Sequence, residues 1–151
     1  MQITPKNINR FMMFKLPLGY LSGMRVKEIT DTFSAVNIKY KWINQNPFKS
    51  MFWAAQGMAA EMCTAVLVMK AIEKSKKKVS MLVTHQKSDF FKKATGKIVF
   101  TCNDGTQVAN AIKKSIETKE GQVIFLTSEG KNEDGIVVSR FQFQWSVKVK
   151  L

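Results

Sequence analysis

The chain has 151 residues, enough for one domain with its own core and no need of disulfide or metal staples. Apolar residues make up 45% and charged residues 23%, which excludes wholesale disorder. The net charge of +13, carried by 21 lysines and only 3 arginines, favours anionic partners without specifying a fold.

In chain order, Asn7–Leu16 reads as a short helix covering something apolar, stopped at Pro17. With its flanks it forms a helical lead-in, 1–23, to a single domain spanning 1–151. Phe11–Met24 has the apolar flavour of a signal sequence, but Lys15 interrupts it and no small-x-small site follows. Arg25–Ile29 and Ser34–Trp42 alternate as strands, with Asp31-Thr32 between them as the turn. Asn46 reads as an N-cap and Pro47 as a first helical residue. From there to about Ile72 the Ala-, Met- and Leu-rich pattern predicts a helix about 39 Å long. It is apolar almost all round and therefore expected to be buried. Its uncharged runs, Ser50–Ala60 and Met62–Met69, are too short for a membrane span. Lys74–Lys78 reads as a basic loop leaving that helix.

Strands follow over Val79–Thr84, extending toward Phe91, and over Gly96–Cys102. Thr106–Thr118 has helical spacing. Gly121–Ser128 and Ile136–Val149 form a last strand pair around the Glu133-Asp134-Gly135 turn. Lys148 and Lys150 alternate as on the solvent side of an edge strand. The economical solution is α+β: one long central helix wrapped by an antiparallel sheet of about five or six strands.

Glu61 is the only acid between Asp31 and Glu73, and it sits mid-helix in an apolar run. Such a carboxylate needs a partner or a use, and burial raises its pKa. Gly57 one turn earlier clears space beside it, and Thr64 three residues on is placed to hydrogen-bond to it. The free N–H groups at the helix start suit an oxyanion. Ser50 and Thr64 lack a neighbouring histidine, which disfavours serine chemistry. Phe52 and Trp53 read as core or pocket wall, Cys63 as a small buried residue, His85 as a surface histidine. The methionines, Met51, Met58 and Met62 among them, read as plain core or as an adaptable apolar lining. Two lone cysteines and one histidine argue against a disulfide framework, a metal site or a Ser-His-Asp triad, and point to the reducing cytoplasm.

The segment Asn46 to Glu61 resembles hotdog-fold thioesterases of the phenylacetate-pathway type. That family shows an Asn, a Ser or Thr four residues on, then His-Gly-Gly, then an acid nine residues after the His. Asn46, Ser50 and Glu61 fall on those positions, while Phe52 stands where the family has His and Trp53-Ala54 where it has Gly-Gly. Asp89–Gly96 is similar to the family's Phe-Leu-Arg-Pro-Ala-x-x-Gly strand. Over residues 24–150 the order of elements is similar to the superfamily's branch labelled a domain of unknown function.

The resemblance implies a hotdog fold, and a homodimer or dimer of dimers with sites at the subunit boundary. It implies hydrolysis of an acyl-CoA thioester, with no metal and no cofactor beyond the coenzyme A moiety of the substrate. By the same resemblance Glu61 activates water or attacks directly, and Asn46 orients the reactants. Backbone N–H groups near Phe52 and Trp53 hold the oxyanion; a main-chain donor survives the loss of Gly, although the indole narrows the approach. Lys92 and Lys93 follow the strand that resembles the family's ligand edge and suit the phosphates of coenzyme A. The rival is a non-catalytic hotdog protein that binds fatty acyl groups or acyl-CoA. A nucleic-acid role is not expected: Arg is scarce and no basic-aromatic strand platform shows.

Overall fold

The computed structural model describes residues 1–151. Helix α1 (Pro5–Lys15) starts where Thr4 accepts a hydrogen bond from Asn7 N–H and Pro5 takes the first turn. Ile8 and Met12, one turn apart, are buried, and Asn9 clamps the backbone of Val26 through two hydrogen bonds of 2.8 and 2.9 Å. Pro17 does stop α1, but it also opens a short second helix, α2 (Pro17–Leu21).

Strand β1 (Arg25–Ile29) pairs antiparallel with β2 (Ser34–Lys39). β2 ends three residues short of the expected Trp42, which opens a 3-10 turn over Trp42–Asn44. The buried Asn44 amide forces the turn: it accepts from Lys41 N–H and donates to the Ser22 and Lys39 carbonyls.

The central helix α3 runs Trp53–Ser75, not from Pro47. Asn46 acts as a capping side chain, but for a tight loop: its Oδ1 accepts from the N–H groups of Phe48 and Ser50. Lys49 then takes a left-handed φ of 60°, which a helix cannot pass. Twenty-three residues give a helix of about 34 Å. Ala59, Ala60, Cys63, Val66 and Val68 on its inner face are fully buried, but Trp53 and Glu61 face outward, so burial all round does not hold. By composition α3 is also long enough to cross a membrane, and its apolar face is the one packed on the sheet. Lys74 belongs to α3, not to the exit loop, and pairs with Asp31.

The remaining elements are β3 (Val79–Phe90), β4 (Lys97–Cys102), α4 (Gly105–Thr118), β5 (Gln122–Lys131) and β6 (Val137–Val149). All six strands form one antiparallel sheet in the order β1-β2-β4-β5-β6-β3. The sheet curls around α3, the hotdog arrangement expected from the sequence, and α4 packs over α3 beside β5 and β6. β6 lies inside the sheet between β5 and β3, so Lys148 marks its solvent face and not an edge, and Lys150 lies just past its end. The long outer edge is β3, twelve residues paired on one side only and largely exposed.

Thr64 is core, not site. Its hydroxyl donates back to the Glu61 carbonyl and accepts from Trp145 Nε1–H at 2.9 Å. Thr64→Val leaves the buried indole N–H without a partner. It should lower stability by about 1–3 kcal/mol in urea unfolding and leave ligand affinity unchanged. A variant as stable as the wild type would show that this bond contributes nothing.

Candidate active site at the start of the central helix

The first turn of α3 has no side-chain cap. Phe52 N–H donates to the Asn44 carbonyl at 2.8 Å, and Ala55 and Gln56 donate to Phe52 O. The N–H groups of Trp53 and Ala54 have no acceptor in the protein. The free N–H groups at this helix end are therefore those of Trp53 and Ala54, whereas that of Phe52, expected among the donors, is already engaged.

These donors stand beside an open hollow of about 500 Å³ lined by Asn46, Ser50, Phe52, Trp53, Gln56, Lys92 and Lys93, with Phe48, Phe90 and Phe91 among its apolar walls. Thus six of the residues expected from the sequence come together here. Asn46 and Ser50 do so chiefly as scaffold: the Asn46 amide donates to Ser50 Oγ at 2.9 Å, and its Oδ1 is taken by the loop backbone. Met51 N–H donates to the Ala94 carbonyl, pinning the loop to the segment that carries Lys92 and Lys93. Both lysines are exposed; Lys93 Nζ also reaches the Phe48 carbonyl at 3.4 Å.

Gln56 was not singled out from the sequence. It is 4% exposed, its Nε2 donates to the Met51 carbonyl, and its Oε1 has no partner. A buried acceptor left unpaired is costly unless something fills it. The available signal was an amide in an apolar run, one turn after Phe52.

A second, adjoining hollow of about 340 Å³ is lined by Trp53, Ala54, Gly57, Glu61, Val83, Gln86, Phe141 and Phe143. Trp53 is common to both hollows. Glu61 is exposed in the single chain and its carboxylate makes no hydrogen bond or ion pair; Thr64 bonds the Glu61 carbonyl instead, so the supporting role expected of it is vacant. The apolar atoms around Glu61 desolvate its carboxylate and raise its pKa above the ordinary glutamate value. Gly57 keeps this hollow clear: a Cβ there would sit 3.4 Å from the Phe141 ring.

The two hollows together offer free backbone donors, a partly desolvated carboxylate, an orphan acceptor and two cations at the rim. It holds no nucleophilic thiol, since burial pushes the Cys63 thiol up to about 11. His85 is exposed on β3, outside both hollows. Of the methionines, only Met51 lines either hollow. A separate hollow of about 390 Å³, between α4 and the far end of α3, includes Lys70, Lys74, Ile112 and Ile116 but none of the site residues above.

The family described as Domain of unknown function (DUF4442) matches residues 4–147. No curated protein matches the chain. Among solved structures, the chain is similar to a protein of unknown function from Pseudomonas aeruginosa, called a probable thioesterase, at 16% identity and a TM-score of 0.82, covering 99% of each chain. A protein of unknown function from Chlorobaculum tepidum is similar at 17% identity and a TM-score of 0.82, again over 99% of each. A thioesterase from Haemophilus influenzae is similar at 9% identity and a TM-score of 0.72, over 97% of this chain and 91% of that one. At these identities the likeness is one of fold.

Proposed function

The chain belongs to the DUF4442 family, and from that premise we propose that it is an acyl-CoA thioesterase working at the open start of α3. The observation that carries this reading is the pair of unpartnered N–H groups at the start of α3, Trp53 and Ala54, where a hollow with cations at its rim adjoins one that holds the raised-pKa carboxylate of Glu61. The thioesterases among the similar folds support the same class.

In the proposed reaction, Glu61 takes a proton from water and the water oxygen attacks the thioester carbon. The two N–H groups hold the resulting oxyanion, aided by the positive end of the helix. The tetrahedral intermediate collapses to the carboxylic acid as the C–S bond breaks, and the leaving sulfur takes back the proton held by Glu61 to depart as the free thiol. The Gln56 amide, buried in the wall of the hollow, accepts a hydrogen bond from a substrate amide once its side chain turns toward the hollow, in place of the Asn46 amide that the loop engages. Lys92 and Lys93 bind the phosphates of coenzyme A.

Trp53 and Glu61 lie eight residues apart, about 12 Å along the helix axis, too far for both to act on one carbonyl. The site is therefore proposed to close across a homodimer, with the helix start of one subunit facing Glu61 of the partner subunit. The free edge of β3 suits that dimer, because Val83 and Gln86 line one hollow and Phe90 lines the other. No metal or further cofactor is needed.

Free-thiol release from a panel of short, long and aromatic acyl-CoAs tests the activity. Turnover of at least one class supports it. Tight acyl-CoA binding without release of thiol would favour the non-catalytic reading, to which Trp53, standing between the hollows, lends weight. The double variant Lys92→Ala/Lys93→Ala should raise KM for acyl-CoA on the order of tenfold, with kcat nearly unchanged, and leave acyl-pantetheine esters unaffected. Equal losses on both substrates would remove the phosphate role.

A further inference from the structure

The lead-in helices and the 3-10 turn present exposed apolar side chains that neither the core nor the α3 hollows use. Phe14 is 74% exposed, Leu18 71%, Leu21 63% and Trp42 83%, with Ile43 beside Trp42 in the turn. These segments meet at one end of the molecule. The Asn44 amide ties the turn to the Ser22 carbonyl at the end of α2, and the Lys41 side chain lies over Gly23. Phe14 stands with Arg10 and Lys15 around a shallow hollow on α1.

The charge along these segments is mostly of one sign, with Glu133 the acid brought near from elsewhere, bonded to Lys97 N–H opposite Lys39. Residues 1–27 carry Lys6, Arg10, Lys15, Arg25 and Lys27 and no carboxylate; residues 32–60 carry Lys39, Lys41 and Lys49 and none. Of the two acids between these stretches, Glu28 and Asp31, the second is held by Lys74. Arg25 is occupied, stacked 3.6 Å from the Tyr20 ring centroid and donating to the Tyr20 and Met24 carbonyls. Arg10, Lys15, Lys39 and Lys41 remain exposed and make no ion pair.

Large apolar side chains grouped in the open mark a contact surface. Trp42, Leu18 and Leu21 stand proud of the surface, line none of the hollows described above, and lie among unpaired cations. A lipid headgroup layer needs no complementary shape. It takes Trp and Leu at its apolar boundary and Lys and Arg against its phosphates. We infer that this end of the molecule docks on an anionic membrane surface, with Phe14, Leu18, Leu21 and Trp42 seated at headgroup depth and the surrounding cations on lipid phosphates. The inference is independent of the chemistry proposed at α3.

Co-sedimentation with vesicles of mixed phosphatidylglycerol and phosphatidylcholine tests it. The wild-type protein should sediment with them at low salt, be released by high salt, and ignore pure phosphatidylcholine vesicles. Brominated lipids should quench the fluorescence of the wild type but not the bound fluorescence of Trp42→Phe, since Trp145 is core and Trp53 belongs to the α3 site. Leu18→Ser/Trp42→Ser keeps every cation and should bind on the order of tenfold more weakly. Absence of binding at low salt would overturn the inference. So would unchanged binding by the double variant, which would reduce the effect to charge alone. If the double variant instead changed the oligomeric state in gel filtration, the cluster would be a contact between copies and the inference would fall. Should that variant fail to fold, the quenching comparison with Trp42→Phe decides alone.

Discussion

Glu61→Gln should reduce thioester hydrolysis by about 10²–10⁴-fold, the range expected when a general base is removed. The substitution keeps size and shape and removes only the ability to take a proton. Because the loss falls on the chemical step, kcat should drop while KM changes little. In the wild type the rate should rise with pH through the raised pKa of Glu61, since the ionised form is the base.

Stability should move the other way. A carboxyl whose pKa is higher in the folded than in the unfolded state opposes folding once it ionises. Glu61→Gln should therefore melt at or above the wild-type temperature at neutral pH. The difference should close as pH falls below the ordinary value of 4.5, where the wild-type carboxyl is protonated in both states. A variant that lost activity and also melted clearly lower at neutral pH would assign Glu61 a structural partner instead.

Gly105→Ala should be among the most damaging single-methyl changes in the chain. Alanine in a helix is ordinarily favoured over glycine by about 1 kcal/mol. Gly105, however, opens α4 directly against the β1–β2 turn, where a Cβ would lie 2.2 Å from the Asp31 carbonyl oxygen and 2.5 Å from Thr32 Cα. Both are backbone atoms, and Gly105 N–H donates to Thr32 O. Asp104 alongside accepts from Thr127 N–H of β5, so moving the α4 start also pulls on the sheet. The expected cost is about 3 kcal/mol, read from the urea midpoint at constant m-value. Gly57→Ala is the control, because its Cβ meets only the Phe141 ring at 3.4 Å. If Gly105→Ala proved the more stable of the two, the close approach of turn and helix would be wrong.

The hairpin pattern was legible because it is local. Alternation marks β1 and β6, and Glu133-Asp134-Gly135 marks the turn between β5 and β6. Strand order was not legible: exposed Lys148 identifies a solvent face of β6, and only long-range pairing decides that β3 is the edge. The start of α3 was misplaced because Asn46-Pro47 offers a cap to whatever follows, and the nearer N–H groups of Phe48 and Ser50 took it. Thr64 was assigned to the Glu61 carboxylate from three-residue spacing. A threonine hydroxyl in a helix readily bonds its own preceding turn, and here Trp145 occupies the remaining capacity. Ser34–Trp42 looked like unbroken alternation, which concealed the 3-10 turn and the exposure of Trp42.

Amide NMR of the uniformly ¹⁵N-labelled protein, titrated with a non-hydrolysable acyl-CoA thioether, tests the proposed placement of acyl-CoA at the start of α3. The expected result is that the largest shifts fall on the Trp53 and Ala54 amides, the Gln56 side-chain amide and the Lys92–Lys93 backbone. Shifts concentrated instead at Ala71, Ala109 and Ile112, around the hollow between α3 and α4, would contradict the site and the mechanism built on it.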